Sequence, residues 1–516
     1  MNSQTSQAQS AQFPNRAWWS TAGARVATAG LLLYSIFAPH SIAASEISLA
    51  IAGAGWLVRA LASRTTGLRR TSFDLPIGLF FLWTIVSSFL SQEPQISIAK
   101  IQSTCVIFLF YLTRAILRGP QAGSPLGVLV VTRRSAVLLV ALMILSGVAG
   151  TVYSVYDLLH GRGIVVESLA PESPVRSVHV QPGDAVWRMG GRRVYSVADI
   201  DRIIGNAPTN STLTISIITQ GEHVERSGLI VTETAKHQAS PSGIIGTKPS
   251  HRFRASGWTR HYETYSEIIQ ILAQLALGLA LAHLVNHGFN RWSRLAFLAS
   301  ALLALGLALT AMRTALIAFA IGAVLIGWRA LRGRARLATI AAVALLLIVG
   351  ALVIYETRAR QALWLHDSSS SLRVEVARIG LSRIMLHPLF GHGMDAMHAH
   401  WNEWGFPGSD MLHLHSTPLQ LAFDRGLPAL FFWLWIVWLF WRTASRNEKR
   451  LRETTDTNRY GILLGATGAL AGFFASSLVN YNLGDGEVAL VFWWLLGIVV
   501  VIAANDESRA KARSFG

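Results

Sequence analysis

Cysteine is nearly missing from this chain, with one in 516 residues, Cys105. A single thiol excludes an intrachain disulfide and any metal site built from cysteines. Charge is sparse too, at 14% of residues, where a soluble chain carries about 25%. No HExxH pair occurs anywhere, which argues against zinc-dependent proteolysis. Acid is in particularly short supply, with 28 Asp and Glu against 45 Lys and Arg, a net charge of +17. That sign raises nucleic acid as a partner, but the cations sit in short loops between apolar runs. Loop cations of this kind orient a membrane chain and suit an anionic lipid surface, so membrane lipids are expected as partners and nucleic acid is not.

What is present is hydrocarbon. Hydrophobic residues make up 52% of the chain, and the mean hydropathy is +0.40. Apolar runs recur at a length that crosses roughly 30 Å of lipid. They predict an all-α polytopic membrane protein with about twelve spans, near 21–39, 45–62, 74–91, 97–117, 134–155, 264–285, 292–310, 313–330, 336–355, 426–443, 460–480 and 485–504. The stretch after Arg25, ending in "SIAAS", has some look of a cleavable signal, but more spans follow at once, and a first spanning helix is the expectation.

Alternate loops carry the arginines: Arg59 to Arg70, Arg114 to Arg134, Arg291 and Arg294, Arg329 to Arg336, and six cations from Arg442 to Arg459. The turns near 40–44, 92–96 and 481–486 carry none. This asymmetry predicts both termini in the cytoplasm of a bacterial inner membrane, leaving segments 156–262 and 356–425 outside. The domain reading follows: 1–157 with five spans, a β-rich unit at 158–235, 236–355 with a linker and four spans, a partly helical outer loop at 356–425, and 426–516 with three spans and a tail.

The unit at 158–235 alternates strand-like runs with turns such as "QPGD" and "MGGRR", and holds one helix whose Ser196 and Asp199 are spaced as a capping pair. Its Pro-Gly-Asp turn, Gly-containing hairpin and "SVADIDRII" helix resemble a bacterial PDZ domain. The resemblance implies a module that adds an extended peptide or protein ligand to a sheet edge. It would place the peptide-carboxylate loop at Gly161, Arg162, Gly163 and Ile164, which depart from the usual hydrophobic-Gly-hydrophobic form. A structural spacer is the other reading.

The outer loop reads "SLR", "HPLFGHG" and "HSTPLQLAFDRGLPAL" in order, with "TAMRTALIAFAIG" upstream. This succession resembles the O-antigen ligase and O-antigen polymerase superfamily. The resemblance implies a membrane glycosyltransferase without metal or cofactor. It would move a glycan from an undecaprenyl-diphosphate carrier to an acceptor hydroxyl, on another glycan or on lipid A-core, in lipopolysaccharide or other cell-surface polysaccharide biosynthesis. The chemistry asks for the same groups. A diphosphate is best held by planar, always-charged guanidinium forks, and a sugar hydroxyl attacking an anomeric carbon needs a group titrating near neutrality.

Arg313 and Arg373 are the candidates for the diphosphate, against a snorkelling anchor and a solvated helix face respectively, with Arg378 as the alternative to Arg373. His415 is the candidate base, or at least the contact to the acceptor hydroxyl. His413 points the opposite way if the segment is extended. Ser416 stands where the family has Asn. Gln420 and Asp424 fall one and two turns on if the segment is helical. Arg260 with His261, and Lys100, are weaker candidates for glycan or phosphate contact. His387, His392, His398 and His400, with Asp395, Glu403 and Asp410, raise a metal site, but the family pattern accounts for His415 without one, and none is expected. The alternatives are a repeat-unit polymerase, a protein O-oligosaccharyltransferase, a secondary transporter (no paired internal repeat supports it) and a non-catalytic scaffold.

Overall fold

The computed structural model describes residues 13–117, 133–219, 222–251, 253–259, 261–358, 368–408, 411–454 and 456–514. Each predicted span is helical: α1 (Phe13–Phe37), α2 (Ile42–Ser63), α3 (Asp74–Leu90), α4 (Pro94–Ala99) with α5 (Phe108–Leu117), and α6 (Arg133–His160). After the β unit come α9 (Tyr262–His287), α10 (Arg291–Leu309), α11 (Arg313–Ala330), α12 (Arg334–Arg358), α16 (Leu427–Arg452), α17 (Thr457–Ser477) and α18 (Gly486–Ser514). Nine helices among the described residues are long and apolar enough to cross a membrane, α3 and the 101–117 segment being shorter. The chain is a multi-pass membrane protein.

The predicted helix at 97–117 is not continuous. Pro94 starts α4, a 3-10 turn runs Ile101–Ile107, and α5 follows. The tighter turn brings Lys100, Ser103 and Thr104 to a cavity that a straight helix would present differently.

Small residues set the helix spacing. A Cβ on Gly278 of α9 would stand 2.3 Å from the Gly465 nitrogen of α17, so these backbones touch. Without a hydrophobic driving force between helices in lipid, such close backbone packing is what holds them together.

The arginines of the alternate, arginine-bearing loops were expected against lipid, but several turn inward. Arg114 donates to Asp74 Oδ1 at 3.1 Å, Arg59 to the Ala115 carbonyl at 2.9 Å, and Arg329 to Glu448 at 2.6 Å. They satisfy helix-end carbonyls and buried acids. Arg332, Arg334, Arg446 and Arg450 stay exposed.

Between α6 and α9 lies a six-stranded antiparallel sheet of β1 (Ile164–Leu169), β2 (Ala185–Met189), β3 (Arg192–Arg193), β4 (Thr212–Thr219), β5 (Glu222–Ile230) and β6 (Ile244–Pro249). The order is β5-β4-β2-β1-β6, with β3 on β2. Helix α7 (Val197–Asn206) covers one face through Ile200 and Ile204, and its Ser196–Asp199 capping box is formed as expected. The unit reaches Pro249, beyond residue 235, because β6 pairs along β1 after the short helix α8 (Glu233–Lys236).

The segment that carries the outer-loop motifs is largely helical: α13 (Ser368–Ile384), the single turn α14 (Ala396–Ala399) and α15 (Thr417–Arg425).

Candidate active site

A cavity of about 480 Å³ sits where Phe80 of α3, the 3-10 turn, the start of α9, Met394 and Asp395, residues 412–425, the turn 480–485 and the start of α18 converge. Its lining holds five carboxylates, Glu263, Glu267, Asp395, Asp424 and Asp485, against Lys100 and Arg425. Lys100 is itself tied to Asp395 at 2.9 Å. The chamber is acid-rich in a chain of strongly basic composition.

His415 and His413 both line it, with ring centroids 4.3 Å apart. The expectation that His413 points away from His415 assumed an extended segment. Instead Leu412 and His415 hold left-handed backbone, with φ of 64° and 50°, and the chain coils so that both rings face one space. Ala311, just ahead of Arg313, and Asp395 at the cavity share this conformation, with φ of 52° and 66°. Four of the seven non-glycine residues in this region, among those described, thus gather here. Such strain persists only where surrounding packing enforces it, and it concentrates at functional sites.

Burial, then the neighbouring His413, then the charge of Arg373 push the His415 imidazole down from 6.5 to about 3. At neutral pH it is uncharged. Arg373 therefore lies within electrostatic reach of His415, and its own Nε has no hydrogen-bond partner among the described residues. Two turns on, Gly380 lets α13 lie against Leu414, where a Cβ would come within 2.4 Å of the Leu414 side chain. That contact seats α13, the helix that carries Arg373, against the segment that carries the histidines. Arg378 is exposed on the same helix.

Arg313 is the first residue of α11 and half-buried. It does not line the cavity, nor does Arg373. Its neighbour Thr314 accepts a hydrogen bond from Asn480 Nδ2 at 3.0 Å, which ties the start of α11 to the cavity wall. Arg260 lies outside the described residues, while His261 and Lys100 line the chamber.

Ser416 caps α15, its hydroxyl accepting from the Leu419 N–H at 3.5 Å. On that helix Gln420 accepts from the Leu414 N–H at 2.7 Å and donates to Asp424 at 2.8 Å. Gln420 thus fixes the loop that carries both histidines. Burial pushes the Asp424 carboxyl up from 3.8 to about 7, against the pull of Arg425 and Gln420.

Two of the remaining outer-loop histidines are tied into the loop's own structure. His392 is wholly buried and bonds the Arg383 carbonyl at 2.9 Å, and His400 pairs with Glu403 at 2.6 Å. No group of three or more potential metal ligands gathers among the described residues.

The peptide-loop candidates are placed away from this chamber. Arg162 is buried, bonded to Asp157 at 2.8 Å and to Ser256 at 3.2 Å. A Cβ on Gly163 would meet the Val186 carbonyl at 2.3 Å. Ile164 opens β1, and β1 is paired on both sides, to β2 and β6. A peptide has no free edge there; the terminal strands are β5 and β6.

Sequence reading did not single out Glu267, Asn480, Asn482 or Asp485. The turn 480–485 carries no arginine and no family motif, and Glu267 lies within an apolar span. Two signals were available for Glu267: the stretch "GWTRHYETYSEII" around it resembles the family, and it is an acid about one turn inside the predicted span 264–285, which is costly unless used.

Residues 298–434 match the family model described as O-Antigen ligase. The matched stretch takes in Arg313, Arg373 and His415, while the cavity walls at 261–267 and 480–485 fall outside it. The family match points to glycan transfer in polysaccharide biosynthesis. No curated protein matches the chain.

Proposed function

We propose that the chain is a metal-independent membrane glycosyltransferase that moves a glycan from undecaprenyl diphosphate to an acceptor hydroxyl, as an O-antigen ligase does. The observation that carries this reading is that His415, inside the O-Antigen ligase match, faces a cavity with the Arg373 charge beside it. Twelve helical segments cross the bacterial inner membrane with both termini cytoplasmic, because the loop cations fall on one side. The cavity then opens at the periplasmic face, where a carrier diphosphate sits. The β unit is a PDZ-like insert, held at the membrane end of α6.

An acid-rich chamber disfavours an anion and suits hydroxyl donors. Arg313 and Arg373, beside the chamber rather than in its lining, grip the diphosphate through charge-assisted forks. His415, neutral and fixed by the strained turn, contacts the acceptor hydroxyl and orients it. The sugar is displaced directly from the carrier, with inversion at the anomeric carbon.

In cells, His415→Ala and Arg313→Ala are expected to accumulate carrier-linked glycan and lose the mature product. Unchanged transfer by correctly inserted variants removes these residues from the mechanism. Product analysis then sets the acceptor: glycan on lipid A-core marks a ligase, long carrier-linked polymer a polymerase, and glycan on protein an O-oligosaccharyltransferase.

A further inference from the structure

One buried carboxylate in the chamber has no part in the roles above. Glu267 is 3% exposed and lines the cavity. Its Oε1 accepts hydrogen bonds from the Ser476 hydroxyl and from Asn480 Nδ2, the latter at 3.1 Å. Asn482 also stands beside it and contributes to the carboxylate, one of its amide N–H groups donating to the Phe473 carbonyl at 3.1 Å and its Oδ1 accepting from Thr417 at 2.9 Å. Oε2 is left with no hydrogen-bond partner among the described residues, and no cation there forms an ion pair with the carboxylate. A buried acceptor oxygen without a donor is costly. The cost is recovered when a ligand supplies the donor, and a neutral hydroxyl does so without adding charge.

The position relative to His415 is fixed by one residue. The Thr417 N–H, two residues past His415, donates to the Asn480 carbonyl at 3.1 Å, while the Asn480 side chain holds Glu267. The imidazole and the carboxylate therefore face one chamber from walls joined through Asn480. A neutral imidazole offers an N–H as well as a lone pair. It can hold the oxygen of a hydroxyl whose hydrogen points elsewhere.

We propose that Glu267 is the general base of the transfer and that its Oε2 is the contact for the attacking hydroxyl of a polyhydroxylated acceptor. This rests on the glycosyltransferase reading. The acceptor oxygen bonds to the anomeric carbon as the bond from that carbon to the diphosphate oxygen breaks. The electron pair of that bond leaves with the diphosphate. The hydroxyl proton passes to Oε2 and returns to water when product leaves. His415 donates to the attacking oxygen, and the arginines stay with the leaving group.

The test uses the full chain in lipid nanodiscs. The donor is the carrier-linked glycan that accumulates in cells lacking the chain, and the acceptor is the envelope fraction of those cells. Glu267→Gln keeps the shape and the contacts to Oε1, and is expected to lower kcat by roughly 10²- to 10⁴-fold with donor KM unchanged. Glu267→Ala is expected to be equally slow and to recover with added formate, whereas Glu267→Gln does not recover. A packing role gives no formate recovery. Glu267→Gln transferring within about fivefold of wild type overturns the proposal, as does failure of formate to restore Glu267→Ala. If the wild-type chain moves no glycan in this assay, the glycosyltransferase reading falls first. If it does, and His415→Ala is slow while Glu267→Gln is normal, only the Glu267 assignment falls.

Discussion

His415 has an unusual combination of a left-handed backbone and an imidazole held near 3. In an unfolded chain it takes a proton below 6.5, whereas in the folded chain it resists until about 3. Falling pH across that window therefore favours unfolding. Part of the depression comes from Arg373, though burial is the larger cause. Arg373→Gln is expected to move the onset of His415 protonation upward, towards 6.5. Diethyl pyrocarbonate labelling of His415 across pH, read by mass spectrometry, reports it, and an unmoved profile would place Arg373 away from the ring. Asp424 works in the opposite sense. Its carboxyl is raised from 3.8 to about 7, so the folded state holds the proton more firmly and stability drains as pH rises through that interval. Asp424→Asn keeps the contact to Gln420 without the charge. Its thermal midpoint in detergent is expected to gain on wild type progressively from about pH 4 to pH 7 and then hold a constant lead; a lead independent of pH would contradict the assignment.

The elements that shape the chamber were legible to different degrees. Helix existence followed from apolar run length, and α15 was foreseen well enough to place Gln420 and Asp424 on one face, where they bond. The break between α4 and α5 was not foreseen, because the same apolar residues fit a straight helix and only packing favours the tighter turn. Crossing points were equally hidden, since a glycine in a span reads as ordinary composition. At Gly278 an added Cβ meets the α17 backbone at 2.3 Å, while at Gly53 and Gly78 it meets nothing within 4 Å. Gly278→Val is expected to cost about 1–3 kcal/mol or more by overpacking. It should also disturb the chamber, since α9 and α17 carry Glu267 and Ser476. Gly53→Ala and Gly78→Ala are expected to be neutral to slightly stabilising, by up to ~1 kcal/mol. Urea or thermal unfolding of the three variants separates them, and equal effects at Gly278 and Gly78 would refute the crossing argument.

At the scale of the molecule, the β unit hangs from closely spaced chain ends. The Arg162 N–H donates to the Ser250 carbonyl at 2.7 Å and the Ser250 N–H to the Gly163 carbonyl at 3.2 Å. Among the described residues, none of 164–249 lines the chamber. Replacing 164–249 by a short Gly-Ser bridge is therefore expected to leave the helical part inserted and transfer within a few-fold of wild type in nanodiscs. Loss of transfer by a well-folded deletion would show that the insert takes part in the reaction. Composition and run length, which are local properties, determined the membrane class, the helical segments, the β insert with its capped helix, and the loop that carries Arg373 and His415. The chamber itself was decided by tertiary packing. Glu267 and Asn480 lie 213 residues apart yet share a hydrogen bond, His413 and His415 turn to one side through two left-handed residues, and Arg313 and Arg373 flank the cavity instead of lining it. The free energy of placing a polar group beside another is settled only when the helices between them have packed, and no single segment of the chain carries that information.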